Sequence, residues 1–459
     1  MGAVVSTLTD LIKYQVFPAV PATKRLAAGV KVLTIGDSIF DFADRFTSGG
    51  LVLEHQTNSE IAWARLKLSQ DGGSRFRHFI WQDGSGRRGA NQGVGGDEPN
   101  LVLARLPAIL SACDAPIVVV NVGTNAQAPD DQVTPAVANM EQIVDTILAA
   151  GRICILGTIR PRKVDVSGYA SGSYLWQRRL DINTWIRAQK GRPGVVIWDP
   201  DPDMLKLSGA TERGEAADDV TVDDVHLNAR GAFVSGYKSL AAALSSVIEP
   251  GTYWPALSDT TLNIFPYGQM ASDGGTANTG VTGSIATGWV AERTTGSTIT
   301  AVASKQSGNR QQFVITSNTT PNTTNVLRLY HTPTTALSAL LNTYGSDTWW
   351  QLGMDIECSA WAGFAYTHLL FYDNATGVNY SDGRPLTGGL GGVNEHWRGV
   401  LAPPPLKRAS LSTLRARLNV GIYVGNHPVT GSPISGTGTL TVRGAWLFQT
   451  DNPEVMFPL

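Results

Sequence analysis

The chain has 459 residues, 42% of them hydrophobic and 16% charged, which is typical of a globular protein with enough apolar residues for a core. The length suggests two or three domains. The formal net charge of −2 gives no reason to expect nucleic acid or an anionic membrane as a partner. The three cysteines are too few and too scattered for a disulfide framework or a zinc site, and we expect Cys113 and Cys154 to be small core residues.

The first 29 residues are interpreted as an N-terminal extension without an export signal. No basic residue precedes its apolar residues, and Thr7, Asp10 and Lys13 interrupt the apolar stretch. No segment of the sequence has the unbroken apolar length that a membrane span needs. We therefore expect no Sec export and no membrane partner. A mature form that has lost its signal stays open, although Met1 argues against it.

Residues 30–250 are predicted to form an α/β domain. Short runs rich in Val and Ile, apolar at both odd and even positions, are typical of parallel strands covered on both faces. They lie at 31–36, 115–123, 152–159 and 194–199. Stretches with apolar residues at helical spacing lie at 60–68, 100–113, 137–151, 175–189 and 229–248. This alternation predicts a doubly wound parallel sheet with helices on both faces.

The sequence changes character after Pro250, where Thr, Asn, Gly and Ser become frequent and helix signals nearly disappear. A connector containing Pro and Gly, residues 251–261, is predicted to be a linker. From residue 262 to 459, strand-like runs separated by turn residues predict an antiparallel β-sandwich. No internal repeat of fixed period is visible, which argues against a β-helix.

Four polar clusters follow strands or loops of the α/β half and could meet at one edge of the sheet. They are "GDS" (36–38), "NQGVGGDE" (91–98), "GTNA" (123–126) and "DDVHLNARGA" (223–232). In an open α/β sheet, ligands bind at the carboxyl ends of the strands, where such clusters gather. The glycines at 93–96 do not directly follow a clear strand with the spacing of a nucleotide-binding loop, so we discount that function.

These clusters contain the residue types that acyl transfer needs. The Ser38 hydroxyl is a weak nucleophile that requires a general base, and His226 is the only histidine between positions 78 and 331. Asp223, three residues earlier, could bind the Nδ1–H of His226 and fix its tautomer. The backbone N–H groups of Ser38 and Gly93 and the side-chain amide of Asn125 could stabilise an oxyanion.

The four clusters, in this order, resemble the four sequence blocks of the SGNH (GDSL) hydrolase family. The resemblance covers about residues 30 to 248 and implies a flavodoxin-like α/β/α sandwich. It also implies that Ser38 is the nucleophile, that Asp223 and His226 complete the triad, and that Gly93 and Asn125 are oxyanion partners. Family members are esterases, lipases and carbohydrate acetylesterases that need no metal, so we expect no cofactor. Ala126 departs from the family, because many members have aspartate there.

Each cluster also has a simpler interpretation. Ser38 could cap a helix that starts at Ile39, and Asn125 could be a turn residue. His226 could lie on the surface, and Asp224 competes with Asp223 as its partner. The joint occurrence of all four clusters in order favours the catalytic interpretation.

Three residues near the clusters are candidates for substrate binding: Asp37, Arg160 and Arg162. The arginines follow a predicted strand and could reach the edge of the site to bind an acidic sugar. The alternative for both arginines is a solvated basic loop, which is the more common reason for such residues.

The second half faintly resembles the start of carbohydrate-binding-module jelly rolls. The resemblance rests on "LNIFPYGQM" (262–270) and "ATGWV" (286–290). Exposed indole rings could stack on sugars, although core packing is the favoured interpretation for any single tryptophan. The tryptophans considered are Trp289, Trp349, Trp350, Trp361, Trp397 and Trp446.

The leading hypothesis from the sequence is a serine esterase that removes O-acyl groups, above all O-acetyl groups, from a polysaccharide. An esterase joined to a β-sandwich without an export signal is also similar to phage tail-associated deacetylases, which leaves virion-associated and cytoplasmic locations open. The alternatives are a general short-chain carboxylesterase or lipase, with the sandwich as a homo-oligomerisation module, and a non-enzymatic glycan-binding or structural virion protein. The expected partner is an acylated carbohydrate or a small ester, and not nucleic acid.

Overall fold

The computed structural model describes most of the chain on both sides of residue 250. The described residues are 25–46, 52–70, 72–83, 86–126, 133–162, 173–204, 220–223, 225–294, 298–317, 324–331, 341, 343–344, 347–373, 377–384, 393–407, 415–424, 426 and 431–459. The alternative partner Asp224 and most of the N-terminal extension lie outside them.

A parallel sheet forms the centre of the first half, as predicted. Its strands, from one edge to the other, are Val195–Trp198, Ile153–Gly157, Ile117–Asn121, Val30–Gly36 and Phe76–Arg77, with Asn91–Gly93 paired to the carboxyl end of Val30–Gly36. Each of the four predicted strands occurs within one or two residues of its predicted bounds. The sheet is built from β-branched runs because both of its faces are buried.

Helices cover both faces of this sheet. Alternate strand residues such as Val118 and Val119 point to opposite faces, and both are fully buried. One face packs against helix Glu60–Leu68 and the helical residues 240–247, and the other against three further helices. The other three are Pro99–Ala112, Val133–Ala149 and Tyr174–Ala188.

The helix predicted at 229–248 is continuous but changes geometry along its length. Its segments are Ala229–Ala232 (α), Phe233–Leu240 (π) and Ala241–Val247 (α). A β-carbon at Gly236 would lie 2.2 Å from the carbonyl oxygen of Glu60, so helix Glu60–Leu68 packs directly against the π-helical backbone. There are two further short helices: Ser38–Asp41, close to the helix from Ile39 that the sequence left open, and Asp201–Met204, which was not predicted.

The second half is an all-β sandwich of two sheets. Among the described residues, the eight-stranded sheet has the order Thr276–Ala277, Trp289–Arg293, Thr324–His331, Arg415–Tyr423, Phe364–Asp373, Val378–Arg384, Val52–Gln56 and Asp44–Phe46. The seven-stranded sheet has the order Val281–Gly283, Thr300–Gln306, Arg310–Thr316, Thr437–Thr450, Trp349–Cys358 and Trp397–Leu401, with Leu406–Lys407 also paired to Trp349–Cys358. The core between the two sheets is apolar.

Most strand pairs of the sandwich are antiparallel, as predicted, but three are parallel. These pairs are Thr276–Ala277 with Trp289–Arg293, Val281–Gly283 with Thr300–Gln306, and Val52–Gln56 with Val378–Arg384. The six tryptophans proposed as sugar-stacking candidates are all buried, with at most 7% of their surface exposed. They are therefore core residues, and any stacking on sugars would require a different, exposed aromatic side chain.

The two halves exchange structural elements. Strands Asp44–Phe46 and Val52–Gln56 belong to the α/β part of the sequence but extend the eight-stranded sheet of the sandwich. In return, the buried Phe457 near the C-terminus packs into the core of the α/β half, and its carbonyl oxygen accepts a hydrogen bond from Trp81 Nε1 at 2.8 Å. The domain boundaries that we drew from composition stay a prediction. Composition alone gave no indication of the contacts that the exchanged strands and Phe457 make with the other half.

A short helix, Pro453–Met456, precedes Phe457 and completes the described secondary structure together with the hairpin Ile80–Asp83 and Gly86–Gly89. Within the described ranges, no helix combines the length and the apolarity that crossing a bilayer would require.

Candidate active site

Ser38 lies immediately beyond the carboxyl end of the central strand Val30–Gly36, as the first residue of helix Ser38–Asp41. Asp37, and not Ser38, is the N-cap, because the Asp37 side chain accepts the hydrogen bond from Ile39 N–H. The capping interpretation of Ser38 is therefore wrong. Its hydroxyl group is free to interact across the cleft, although Ser38 is only 7% exposed.

Two glycines allow the backbone to pack closely around Ser38. A β-carbon at Gly36 would lie 1.9 Å from the carbonyl oxygen of Asn121 on the neighbouring strand. A β-carbon at Gly93 would lie 2.4 Å from the backbone nitrogen of Asp41. Both positions exclude any larger side chain, so the nucleophile helix and the loop at residues 93–95 stay in direct contact.

His226 and Asp223 approach Ser38 from a distant part of the chain. The Nε2 atom of His226 is 2.9 Å from Ser38 Oγ, and its Nδ1 atom is 2.7 Å from Asp223 Oδ2. The other carboxylate oxygen, Asp223 Oδ1, accepts the backbone N–H of His226 at 2.7 Å. A carboxylate that accepts Nδ1–H leaves Nε2 as an acceptor, so the ring is oriented to receive the hydroxyl proton of Ser38.

The local environment keeps Asp223 ionised. Partial burial would raise the pKa of Asp223, but hydrogen bonds from the backbone N–H and the ring of His226 outweigh it and hold the pKa below its usual value. The ring of Phe42 packs against the other side of the His226 ring, with 4.6 Å between the centroids. These contacts fix the imidazole between the carboxylate and the hydroxyl.

Two of the three predicted oxyanion donors, Gly93 and Asn125, already have hydrogen-bond partners. The N–H of Gly93 donates to Asn91 Oδ1 at 3.0 Å, and Asn125 Nδ2 donates to the carbonyl oxygen of Asp97 at 3.3 Å. Their role as oxyanion donors stays a prediction. A substrate oxygen would have to share or replace these acceptors.

The three candidate substrate-binding residues, Asp37, Arg160 and Arg162, are all buried. Asp37 is fully buried, and desolvation raises its pKa to about 7 against the opposing effects of the Ile39 N–H and the two arginines. Arg160 pairs with Glu60 at 2.8 Å and stacks on Trp198 at 3.9 Å. These positions argue against direct contact with substrate.

Arg162 has a structural role that the sequence did not suggest. Its guanidinium donates to the backbone carbonyl and the hydroxyl oxygen of Thr124, at 2.6 and 2.9 Å, and it is only 4% exposed. It therefore holds the turn that carries Asn125. The interpretation of Arg160 and Arg162 as a solvated basic loop is also wrong, because both side chains are buried.

Two residues that the sequence reasoning missed tie the loops of the site together. Asn91 Nδ2 donates to the carbonyl oxygen of Phe40 at 2.8 Å, and this bond links the Gly93 loop to the nucleophile helix. Arg105 donates to Asp97 Oδ2 at 2.9 Å and to the carbonyl oxygen of Gly36 at 3.0 Å. Asn91 lies within the "NQGVGG" cluster, which could have drawn attention to it, whereas Arg105 carries no local signal.

In the part of the chain that the structure describes, no three His, Cys, Asp or Glu side chains are grouped so that they could hold a metal ion. Cys113 and Cys154 are buried core residues, as predicted.

Residues 34–232 match the model of the GDSL-like Lipase/Acylhydrolase family. No curated protein matches the chain. Similar solved structures include a GDSL-like lipase from Bacteroides thetaiotaomicron, with 16% identity, coverage of 47% of this chain and 85% of that chain, and a TM-score of 0.31. An alpha/beta hydrolase enzyme from the metagenome of Lake Arreo shows 19% identity, with coverage of 48% and 98% and a TM-score of 0.35.

A mutant of an acetyl-xylooligosaccharide esterase from Geobacillus Stearmophilus shows 16% identity, coverage of 48% of this chain and 96% of that chain, and a TM-score of 0.34. The matched range 34–232 contains Ser38, Gly93, Asn125, Asp223 and His226. The α/β half of the chain has the SGNH hydrolase fold, and its residues 34–232 are similar to the GDSL-like Lipase/Acylhydrolase family.

Proposed function

We propose that this protein is a serine esterase that removes O-acyl groups, above all O-acetyl groups, from a polysaccharide. The observation that carries the proposal is the continuous hydrogen-bonded series from Ser38 Oγ through His226 to Asp223, at 2.9 and 2.7 Å. A hydroxyl, an imidazole and a carboxylate at these distances have the geometry of a nucleophile, its base and the group that orients the base.

The proposed reaction proceeds in two steps. Ser38 Oγ attacks the ester carbonyl carbon while His226 Nε2 takes the hydroxyl proton, and His226 then gives that proton to the sugar oxygen that leaves as the C–O bond breaks. Water then attacks the acyl-enzyme while His226 Nε2 takes one of its protons, and His226 gives this proton to Ser38 Oγ as the acyl–Oγ bond breaks and the carboxylic acid leaves. Asp223 stabilises the imidazolium in both steps without taking its proton.

One surface groove of the sandwich favours the proposal that the substrate is a polysaccharide. This groove has a volume of about 210 Å³ and includes the aromatic ring of Tyr267 together with the polar side chains of Gln269, Ser272 and Thr287. Tyr267 is 54% exposed, and an exposed ring beside hydroxyl and amide groups suits stacking on a sugar with hydrogen bonds at its edge.

The pairing of an esterase with a β-sandwich also fits a deacetylase of the tail of a phage. This part of the proposal rests on likeness of architecture alone. A general short-chain carboxylesterase or lipase is the second candidate, because Phe42 and Val94 are 46% and 43% exposed and lie next to triad and oxyanion-loop residues. Such apolar side chains could contact an acyl chain. The hydrogen-bonded series at Ser38 argues against a non-enzymatic protein.

One experiment separates these functions. The purified protein would be given O-acetylated polysaccharides and, in parallel, p-nitrophenyl esters with acyl chains of increasing length. The proposal expects acetate release from a polysaccharide and a steep loss of activity beyond short acyl chains, whereas a lipase would prefer longer chains. Ser38→Ala should lose activity on every ester, and Ser245→Ala, which removes a surface hydroxyl from a helix, is the matched control. Unchanged turnover in Ser38→Ala would overturn the esterase proposal.

A further inference from the structure

We propose that Asp44, His55 and Asp382 form a buried ladder through which the β-sandwich positions the oxyanion loop of the esterase site. The inference rests on the proposed esterase function. It assigns these three side chains as positioning residues, which act through Asn91 and do not contact the substrate. The sandwich would then be a part of the catalytic unit as well as a module for binding.

The ladder is set by strand register. Asp44 lies directly opposite His55 in the antiparallel pair, and His55 lies directly opposite Asp382 in the neighbouring parallel pair. Residues opposite one another on adjacent strands share a face of the sheet. Two of the three strands come from the α/β part of the chain, while the strand of Asp382 belongs to the sandwich, so the ladder crosses from one half to the other.

The side chains of the ladder are joined by hydrogen bonds in a buried environment. Asp44 Oδ1 is 2.7 Å from His55 Nδ1, and both side chains are at most 1% exposed. Arg65 bridges the next two residues, with Nη1 at 3.5 Å from His55 Nε2 and Nη2 at 2.7 Å from Asp382 Oδ2. An arginine cannot accept a hydrogen bond, so His55 Nε2 must accept and Nδ1–H must donate to Asp44.

Asp382, at one end of the ladder, is held by the sandwich. The backbone N–H of Ala402 donates to Asp382 Oδ2 at 2.7 Å, so that oxygen has both a charged and a backbone donor. Asp382 is 1% exposed. A buried carboxylate with several donors is fixed in position, since any movement would leave it or Arg65 without a partner in a medium of low dielectric constant.

Asp44, at the other end of the ladder, is connected to the proposed catalytic site through the side chain of Asn91. Asn91 Nδ2 donates to Asp44 Oδ2 at 2.6 Å and to the carbonyl oxygen of Phe40, in the nucleophile helix, at 2.8 Å. Its Oδ1 atom accepts the N–H of Gly93 at 3.0 Å. Asp44 thereby fixes which way the amide of Asn91 points, and that orientation sets the Gly93 loop relative to the Ser38 helix.

The test compares ladder variants with a variant of another ion pair between the same strands that does not reach Asn91. Glu54 is the matched control because it neighbours His55 on the same strand, is fully buried, and pairs with Arg384 of the sandwich at 2.6 Å. Successive residues of a strand point to opposite faces, so Glu54→Gln should disturb the interface without disturbing Asn91. His55→Leu removes the donor to Asp44, and His55→Asn keeps an N–H near the position of Nδ1.

We expect His55→Leu and Asp44→Asn to lower kcat on p-nitrophenyl acetate by about 10- to 100-fold with KM changed less than about twofold, because a small misplacement of a catalytic group costs this much. His55→Asn should recover part of the loss, and Glu54→Gln should keep kcat within about twofold. Equal kcat in Asp44→Asn and Glu54→Gln would overturn the proposal. If His55→Leu does not fold, the kcat of the isosteric Asp44→Asn variant compared with that of Glu54→Gln still tests the proposal.

A second measurement does not depend on activity. Amide hydrogen exchange in the segment 91–95, followed by mass spectrometry, should be faster in Asp44→Asn than in Glu54→Gln. Equal exchange would contradict the ladder. The two proposals can fail separately: wild-type turnover by Ser38→Ala overturns the esterase, whereas inactive Ser38→Ala with unaffected ladder variants overturns the ladder alone.

Discussion

The carboxylate of Asp37 accepts a hydrogen bond from the backbone N–H of Ile39 at 3.1 Å and so caps the helix that begins at Ser38. A serine that follows a buried strand is commonly either a helix cap or a nucleophile. Here Asp37 caps the helix, so Ser38 does not. The Ser38 hydroxyl is left to the ring of His226. The Asp37 side chain is also fully buried, so its ionisation should affect the stability of the fold.

The free energy of unfolding should fall as pH rises from about 4 to 7 because of Asp37. Desolvation raises its folded-state pKa from 3.8 to about 7, so in this range the folded state holds a proton that the unfolded state has lost. Asp37→Asn keeps an oxygen for the Ile39 N–H and cannot ionise, so its stability should fall less with pH. Urea unfolding of both proteins at pH 5 and pH 8 measures this. An equal change in both proteins would rule out Asp37 as the cause.

Asp223→Asn should lower kcat on a small ester by about 10²- to 10⁴-fold, because an amide can hold His226 in the wrong tautomer and cannot stabilise the imidazolium. The matched control is Asp224→Asn, the neighbouring carboxylate that the sequence left as a competitor, which should change kcat by no more than a few fold. Steady-state kinetics at one pH distinguishes the two variants. A larger loss in Asp224→Asn would move the assignment to that residue.

The sequence predicted the parallel sheet well because its strands carry a strong local signal. Both faces of Ile117–Asn121 are covered, and its first four residues are accordingly all Ile or Val. The same reasoning predicted the proximity of Ser38 and His226, since strand ends and loops of such a sheet meet at one edge. Helix Glu60–Leu68 was predicted with its correct bounds.

The exchange of elements between the two halves could not be predicted in this way. Strand Val52–Gln56 contains Glu54 and His55, both buried, and polar residues in a short strand normally indicate an exposed face. Their burial depends on a strand more than 300 residues away, in which Arg384 pairs with Glu54 and Asp382 lies opposite His55. Contacts between residues far apart in the sequence leave no local pattern, and the same holds for the hydrogen bonds of Arg160 to Glu60 and of Arg162 to Thr124.

Activity should survive incubation with EDTA. In the proposed mechanism His226 supplies the base, and backbone and amide N–H groups supply the charge stabilisation that a Lewis acid would otherwise provide. The measurement is turnover of p-nitrophenyl acetate before and after chelation and dialysis, with Ser38→Ala as the blank. A loss of turnover that added zinc or calcium restores would show a metal requirement that this mechanism lacks.

Phe457→Ala should lower the free energy of unfolding of the α/β half by about 3 kcal/mol or more, as expected for a fully buried aromatic residue. Phe457 packs against Phe79, with 6.2 Å between the ring centroids, although it lies at the opposite end of the chain. Val455→Ala is the matched control, since Val455 lies two residues away and is 74% exposed. Denaturant unfolding monitored by fluorescence compares them. Similar stability in both variants would mean that the C-terminal segment is not part of the α/β core.

Tyr267→Asn should weaken binding to the substrate polysaccharide by about fivefold while leaving hydrolysis of a small soluble ester unchanged. The ring of Tyr267 is exposed in the sandwich groove, and loss of one stacking aromatic costs about 1 kcal/mol. Asparagine is the substitute because the backbone of Tyr267 has a φ of 57°, a left-handed conformation that asparagine tolerates well. Removal of the ring therefore adds no backbone strain.

Two controls complete this test. Tyr267→Phe keeps the stacking ring and should bind almost as well as the wild-type protein, whereas Leu262→Asn introduces the same amide at another exposed apolar position of the second half, 59% exposed, and should have no effect. Binding is measured by co-sedimentation with insoluble polysaccharide, using the Ser38→Ala background so that no substrate is consumed. Wild-type affinity in Tyr267→Asn would exclude the groove as a sugar site and leave the sandwich with the positioning role that its contacts to Arg65 support.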